Sequence, residues 1–260
     1  MNYSCCIDYN PERVRLLKKY GYECYEGSLS ALTGKTEEFL KDFRNVTDSV
    51  GVYSVSHNGM FPGDFRLLEK GEYSRISEYL DQVFYKSSIL GTKTIVLGSG
   101  GARRIPDGMF KDDAIKRFCE VLNEIILPKA EEYGKRIAIE ELRKEETNFI
   151  NNCREAMEII NEVNNDRLGL LIDYYHAILG GDTKEDFISF GKKIFHVHMA
   201  SPKDNRLYPR MKNLEDLKEF FDALNKADYT GAVSLEGGDG GNFEKAIEEA
   251  ITVMKEAAKN

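Results

Sequence analysis

Short apolar segments alternate with longer amphipathic segments along the whole chain. The apolar segments are rich in Val, Ile and Leu and do not alternate strictly with polar residues, which is typical of parallel strands that are covered on both faces. Eight such segments predict β-strands, at Tyr3–Ile7, Tyr22–Tyr25, Val50–Val55, Thr94–Leu97, Arg136–Ile139, Leu168–Ile172, Lys193–His198 and Gly231–Leu235.

The segments between the strands have the periodicity of helices that bury one face. In one of them Phe149, Cys153, Met157 and Ile160 form an apolar stripe. Eight strand–helix units predict an α/β fold, a single-domain (β/α)8 TIM barrel over residues 1–260. A doubly wound open sheet is the alternative, but such a sheet seldom contains eight regular repeats.

The composition is that of an ordinary globular protein, with 42% hydrophobic and 31% charged residues. A net charge of −8 argues against nucleic acid and anionic membranes as partners. No apolar run reaches the roughly 18–20 residues of a membrane span. Asp8 interrupts the N-terminal segment, which does not resemble a secretory signal. The five cysteines lack a CxxC spacing, which indicates reduced thiols, and we expect a cytoplasmic protein.

Metal-binding residue types stand at the ends of the last four predicted strands. Glu140 follows strand five, Asp173 follows strand six, His198 ends strand seven and Glu236 follows strand eight. In a TIM barrel the C-terminal strand ends meet at one rim, where the active site lies. We therefore expect the four side chains to converge there.

A metal ion explains this convergence better than local structure does. One acidic residue at a strand end is more often a helix cap or an ion-pair partner than a metal ligand. Capping does not account for four ligand-type residues at equivalent positions on consecutive strands. Unpaired carboxylates in a small space would repel one another, and one divalent cation removes that conflict. The mixed oxygen and nitrogen set suits Mn²⁺, our first choice, or Mg²⁺, Co²⁺ or Zn²⁺.

Two further histidines bear on the same rim. His196 and His198 are two residues apart and point to the same side of strand seven. His198 is nearer the rim and is the predicted ligand, whereas His196 is interpreted as a packed, hydrogen-bonded residue. His57 follows the predicted third strand, so that it either contacts the substrate or serves as a hydrogen-bonded loop residue.

Two segments in the second half of the chain resemble the xylose isomerase-like TIM barrels described as sugar phosphate isomerases/epimerases, especially the D-tagatose/D-psicose 3-epimerase branch. "IAIEELRKEETNFIN" is similar to the strand-five segment of that branch. The resemblance implies that Glu140 binds the metal and Glu146 contacts the substrate. "LLIDYYHA" is similar to its Asp-x-x-His segment, which implies Asp173 as a metal ligand and His176 as a substrate contact.

The resemblance extends over nearly the whole chain. "HVHMAS" and "SLEG" are similar to the strand-seven and strand-eight segments, which implies that His198 and Glu236 are metal ligands. "NGMFPGD" and "LGSGGARRIPDG" also resemble segments of uncharacterised members. The glycine-rich segment lacks the Lys-Ser/Thr of a P-loop and is interpreted as a tight turn near the mouth. Arg103 or Arg104 in it either binds a substrate anion or pairs on the surface.

The chain departs from the family pattern at two positions. Glu141 stands where a Pro often follows the strand-five Glu. The substrate-binding Arg, which usually lies six residues after the strand-seven His, would fall on Asp204. "DNRLYP" offers Arg206 two residues later, and we assign the substrate contact to it. These departures leave the metal ligands in place and bear on the substrate.

The resemblance implies a mechanism and a substrate class. A metal would bind the carbonyl and a neighbouring hydroxyl of a sugar or sugar phosphate and stabilise an enediolate. Glu140 and Glu236 would act as the acid/base pair on opposite faces of one carbon, which inverts it. Proton return to the adjacent carbon would instead give aldose–ketose isomerisation. Relatives are often dimers or tetramers, which implies a homo-oligomer.

Three other functions are alternatives to the sugar epimerase or isomerase. A metal-dependent dehydratase of the inosose or dehydroshikimate type would share the first proton abstraction and then expel a β-hydroxyl. An endonuclease IV-type nuclease shares the barrel but implies a three-metal site with more histidines than the four of this chain. The third is a non-catalytic sugar- or metal-binding barrel.

Overall fold

The computed structural model describes residues 1–259, and its eight parallel strands close into a barrel. The strand order is β1-β8-β7-β6-β5-β4-β3-β2, and a parallel bridge between Cys6 and Glu26 joins β1 to β2. The predicted single TIM barrel is confirmed. The strands are β1 Asn2–Cys5, β2 Cys24–Ser28, β3 Tyr53–Asn58, β4 Thr94–Leu97, β5 Arg136–Glu140, β6 Leu168–Asp173, β7 Ile194–Met199 and β8 Ala232–Leu235.

Helices cover the outside of the barrel and begin and end where the local sequence favours it. The side chain of Asn10 caps the first helix, and Gly21, at φ 84°, ends it. A π-helical turn at Leu122–Ile126 joins α4 to α5. The α-helices are α1 Pro11–Tyr20, α2 Glu37–Val50, α3 Tyr73–Ile89, α4 Lys111–Val121, α5 Leu127–Glu132, α6 Cys153–Val163, α7 Tyr174–Gly180, α8 Lys184–Phe190, α9 Leu214–Lys226 and α10 Phe243–Ala257.

The barrel interior is apolar at its base and polar at its mouth. Val96, Ala138 and Leu171 pack together at the base with the ring of Phe195. A Cβ at Gly169 would lie 2.5 Å from this ring, so glycine is required there. The larger apolar core lies between the strands and the helices. The charged side chains of the barrel interior therefore lie above this apolar base, at the mouth.

The third strand begins later than the sequence predicts. The apolar residues near Val50 were assigned to a strand at Val50–Val55, but α2 continues through Val50 and ends at Gly51, at φ 68°. The strand itself occupies Tyr53–Asn58. This correction places His57 inside β3 instead of after it.

The remaining expectations about the whole chain concern thiols and membranes. All five cysteines are free thiols, in line with the prediction. Among the helices of residues 1–259, none combines the length and the apolar character that crossing a membrane requires.

Candidate active site

The C-terminal ends of β5 to β8 bring three carboxylates and one imidazole together in the mouth of the barrel. Glu140 and Asp173 are the last residues of β5 and β6, His198 is the penultimate residue of β7, and Glu236 directly follows β8. One ligand-type atom from each lies within 4.8 Å of the other three. We call these four residues the cage. They are the four residues that the sequence predicts as metal ligands.

One nitrogen of His198 faces the three carboxylates of the cage. Nδ1 lies 3.3 Å from Glu140 Oε1, 3.3 Å from Glu236 Oε2 and 3.9 Å from Asp173 Oδ2. Nε2 points the other way and lies 3.0 Å from Glu26 Oε1. An ionised carboxylate can only accept, so Nε2–H donates to Glu26 and Nδ1 is the atom available to a metal.

Two of the three cage carboxylates have raised pKa values, and the third has a lowered one. Burial, with the negative charges of Glu236 and Glu140, raises the pKa of Asp173 to about 7. Burial and Glu236 also raise the pKa of Glu140. For Glu236 burial acts in the same direction, but the charges of His198 and Arg206 outweigh it and lower the pKa to about 2. The cluster therefore needs positive charge, which a divalent cation would supply.

The two carboxylate oxygens of Asp173 face different partners, one facing helix α7 and the other facing the cage. Oδ1 caps α7 by accepting from the main-chain N–H groups of Tyr175 at 2.8 Å and His176 at 3.2 Å. Oδ2 faces His198 in the cage. Asp173 can therefore cap α7 with Oδ1 and face the cage with Oδ2. The hydrogen bonds of the cap fix the orientation of the carboxylate in the cage.

Glu26, which the sequence analysis missed, lies beneath His198. It is fully buried in β2, and its Oε2 accepts from His196 Nε2 at 2.7 Å while Oε1 accepts from His198. Burial raises its pKa, but the charges of His198 and His196 outweigh this and hold the pKa well below its usual range. His196 also lies 2.9 Å from Ser234 Oγ, so it is the packed, hydrogen-bonded residue that was predicted.

Arg206 reaches the cage from the loop after β7. Its Nη2 donates to Glu236 Oε2 at 2.6 Å and lies 3.4 Å from Asp173 Oδ2. Arg206 itself adopts φ 62°, and this left-handed backbone turns the guanidinium inward. Asp204 stands where the family pattern has Arg, and it holds the loop by accepting from Ser201 Oγ at 2.8 Å. The structure thus brings the predicted Arg206 to the site despite its shift in sequence.

Glu146 and His176 flank the same opening. His176 is buried in the first turn of α7, and its Nε2 lies 3.7 Å from Asp173 Oδ2 and 3.9 Å from Glu146 Oε2. Within residues 1–259 this Nε2 has no hydrogen-bond partner, while Nδ1 accepts from the main-chain N–H of Arg143 at 3.4 Å. Nε2–H is therefore a free donor directed into the site.

His57 does not reach the site, which corrects its assignment as a substrate contact. It is fully buried in β3, and its ring lies 6.2 Å from the ring of Tyr9, in the layer between the sheet and the helices. Its neighbour Asn58 faces the site instead and donates to Glu236 Oε1 at 2.8 Å. Because β3 continues to Asn58, His57 and Asn58 are adjacent strand residues and point to opposite faces of the sheet. Burial lowers the pKa of His57 to about 3, so it is neutral.

The glycine-rich segment after β4 forms a tight loop against the cage. Gly98 lies so close to Glu140 that any Cβ there would collide with the Glu140 carboxylate. Arg103 neither contacts the site nor pairs on the surface, because it is fully buried and its Nη1 donates to the Leu97 carbonyl at 3.0 Å. Arg104 Nη2 donates to the Glu146 carbonyl at 2.9 Å. The loop therefore packs against Glu140 and against the segment after β5 that contains Glu146.

Gly98→Ala is expected to weaken metal binding about 10- to 100-fold, because the new methyl group displaces Glu140 from the cage. Gly101→Ala in the same loop is the matched control, since its Cβ would lie 3.7 Å from Gly63 and fits. Titration calorimetry with Mn²⁺ measures both. Equal dissociation constants for the two variants would contradict the proposed contact.

Glu141, at the position of the family's Pro, supports the cage from the opposite face of β5. Its side chain is fully buried, and Oε1 accepts from the main-chain N–H of Asp173 at 2.9 Å. Burial and the charge of Asp173 raise its pKa well above the usual range. This hydrogen bond links the ends of β5 and β6 directly beside two of the cage residues.

A cavity of about 370 Å³ opens beside the cage on the side of β1 to β3. Glu26 and Asn58, which contact cage residues, form its inner wall, and Ser28, Lys35 and Cys6 also line it. Binding sites for small molecules typically measure about 300–1,000 Å³. The cavity is therefore large enough for the part of a small ligand that does not contact the cage.

The fold and the site together define the class of protein. It is a TIM barrel in which three carboxylates and an imidazole converge at the C-terminal ends of β5 to β8, in an arrangement suited to a divalent cation. The chain belongs to the Xylose isomerase-like TIM barrel family, whose sequence model matches residues 14–257. The resemblance drawn from the sequence motifs is confirmed.

Named relatives are isomerases and epimerases. Over 95% of this chain and 89% of the relative, the sequence is 27% identical to an inosose isomerase of Bacillus velezensis. D-psicose 3-epimerase, solved in the presence of D-fructose, has a TM-score of 0.79 at 19% identity and covers 99% of this chain and 96% of its own. The IOLI protein with a bound zinc atom has a TM-score of 0.74 at 23% identity, with 99% and 96% covered. The chain is an enzyme of this isomerase and epimerase family.

Proposed function

We propose that this protein is a divalent-metal-dependent epimerase or isomerase of a sugar or sugar phosphate, acting by proton transfer through an enediolate. The cage carries the proposal, because it places two carboxylates, Glu140 and Glu236, around one metal-binding position. The names of the inosose isomerase and D-psicose 3-epimerase relatives support a polyhydroxylated ketone as substrate.

The cage would hold one metal ion through the carboxylates of Glu140, Asp173 and Glu236 and through Nδ1 of His198. A divalent ion bound there supplies Lewis-acid polarisation of carbonyl and hydroxyl oxygens. The oxygen-rich donor set favours Mn²⁺, with Mg²⁺, Co²⁺ or Zn²⁺ as the alternatives. His57 lies in the outer layer and His196 is hydrogen-bonded to Glu26. The number of histidines left at the rim therefore suits one metal ion better than the three-metal site of a nuclease.

The two catalytic carboxylates approach a bound ligand from different strands. Glu140 ends β5 and Glu236 follows β8, and each lies 3.3 Å from the same nitrogen of His198. One carboxylate would remove the proton of the substrate carbon, and the other would return a proton to its opposite face, which inverts the centre. Arg206 and the free Nε2–H of His176 would donate to substrate oxygens, and Glu146 would accept from a substrate hydroxyl.

Solvent isotope exchange tests this proposal. The protein is incubated with Mn²⁺ in D₂O, separately with D-psicose, D-tagatose, inosose and dehydroshikimate, and the products are followed by NMR. We expect deuterium at the inverted or isomerised carbon of a ketose or inosose without loss of water. Formation of an unsaturated or deoxy product with release of water would instead show the dehydratase. Metal stoichiometry near zero, with no exchange into any substrate, would overturn the metal-dependent mechanism.

Metal binding is expected to weaken as the pH falls. The ligands must lose their protons, and the pKa of Asp173 is raised to about 7 by burial and by Glu236 and Glu140. Below that pH each displaced proton lowers the apparent affinity about tenfold per unit. Between pH 8 and pH 6 we therefore expect at least about a tenfold loss of Mn²⁺ affinity by calorimetry. Affinity that is constant over this range would show that no proton is displaced.

A further inference from the structure

A second polar pocket lies at the opposite end of the barrel, where β4 to β6 begin. It has a volume of about 550 Å³, and its lining includes four cationic side chains, Lys93, Lys135, Arg136 and Arg167. No Asp or Glu is among its lining residues in the part of the chain that the structure describes. We call this the basal pocket. It is separated from the cage by the apolar base of the barrel.

Three of the four cations, Lys135, Arg136 and Arg167, donate to neutral groups. Lys135 is 2% exposed, and its Nζ donates to the Thr92 carbonyl at 2.6 Å. Arg136 donates to Thr94 Oγ1 at 2.8 Å, and Arg167 donates to the carbonyl of Lys135 at 3.2 Å. Within residues 1–259, no carboxylate lies within 4.0 Å of any of the four. Burial lowers the pKa of Lys135 to about 8, as expected for a cation without a counter-charge.

The ends of neighbouring helices do not balance this charge. α3 and α5 end beside the pocket, where Gly91 and Gly134 line it. Each C-terminal helix end contributes about −0.5 of a charge, so two of them offset about one of the four positive charges. The excess of about three positive charges stands out in a chain whose net charge is −8. Like charges gathered in one concavity favour the binding of a multiply charged anion.

We propose that the basal pocket binds a doubly charged oxyanion, namely a phosphate group. Lysine ammonium and arginine guanidinium groups are the side chains that bind phosphate most readily, the latter through paired N–H donors. The volume of the pocket exceeds that of a phosphate ion and leaves space for an organic substituent. This proposal does not rest on the proposed function, because the pocket shares no residue with the cage.

Calorimetric titration without added divalent metal tests the basal pocket. The probes are sulfate, inorganic phosphate and glycerol phosphate, with chloride at equal ionic strength as the reference. We expect one oxyanion per chain, and at least a tenfold weaker affinity in Lys93→Gln/Arg167→Gln. Tighter binding of glycerol phosphate than of phosphate would identify a phosphate ester as the ligand, and equal binding would identify free phosphate.

Two further variants keep the test specific. Arg15→Gln/Lys41→Gln removes the same charge from α1 and α2, away from the pocket, and is expected to bind like the wild type. Lys93→Gln alone changes an exposed side chain and is expected to give a smaller loss, so that the result does not depend on the folding of the double variant. Equal affinities in the pocket variants and the control, or heats no larger than those with chloride, would overturn the proposal.

Discussion

Glu140→Gln and Glu236→Gln are each expected to lower turnover about 10³-fold, the range that a positioned acid or base contributes. Each substitution removes a proton-transferring group and one negative charge from the cage. Glutamine keeps the shape of the side chain, and the loss of a charge reduces repulsion among the buried carboxylates. We therefore expect both variants to remain folded. Without added metal, the melting temperature of Glu140→Gln should be no lower than that of the wild type, whereas that of Glu236→Gln should be lower because it loses the ion pairs with Arg206 and His198.

Isotope exchange separates a catalytic role from metal binding alone. If Glu140 and Glu236 serve opposite faces, each variant retains one base and should wash deuterium into only one of the two epimers, without inversion. Glu145→Gln, next to Glu146 but with an exposed side chain, is the control and should retain full turnover. Undiminished turnover in both cage variants at saturating Mn²⁺ would remove these residues as the acid/base pair.

Glu26→Gln is expected to weaken Mn²⁺ binding about 10- to 100-fold, the usual effect of losing the hydrogen-bond partner of a metal-binding histidine. The ionised Glu26 fixes the proton of His198 on Nε2 and so leaves Nδ1 for the metal. The amide of glutamine can still accept this hydrogen bond, but it lacks the negative charge that increases the basicity of Nδ1. Binding is measured by calorimetry at pH 8, above the raised pKa of Asp173.

Ser56→Ala is the matched control for Glu26. Ser56 Oγ lies 3.0 Å from His196 Nε2, so its removal perturbs the same buried network without touching His198. We expect unchanged metal affinity in Ser56→Ala, even where its stability falls. Equal losses of affinity in both variants would show that Glu26 acts through general packing and not through the charge on His198.

The predictable part of the site follows from the regularity of the barrel. Parallel strands that end at one rim place their last residues side by side, so Glu140, Asp173, His198 and Glu236 could be assigned from strand positions alone. These residues are spaced by about one strand–helix unit along the chain, and this spacing can be recognised without knowing that the sheet is closed. Arg206 was harder, since its approach depends on a loop in which Asn205 and Arg206 adopt φ values of 53° and 62°.

Other parts of the site depend on distances across the closed barrel. Glu26 meets His198 only because the ring closes between β1 and β2 and brings β2 opposite β7. Glu26 directly follows the predicted strand Tyr22–Tyr25, so its strand-end position was visible in the sequence, but its contact with His198 was not. His57 was assigned to the site and Asn58 was not, because the predicted third strand ended at Val55. The strand in fact extends to Asn58, and adjacent strand residues point to opposite faces.

The sequence by itself determined the barrel and the residue types at its rim, because hydrophobic periodicity and strand-end positions are local properties that repeat along the chain. Only the tertiary structure decided which atoms face the centre of the cage. It gave Asp173 one oxygen for the helix cap and one for the cage, turned Nδ1 of His198 toward the carboxylates, and gathered four cations in the basal pocket. These outcomes depend on side-chain orientation and on contacts between distant strands, which strand periodicity does not encode.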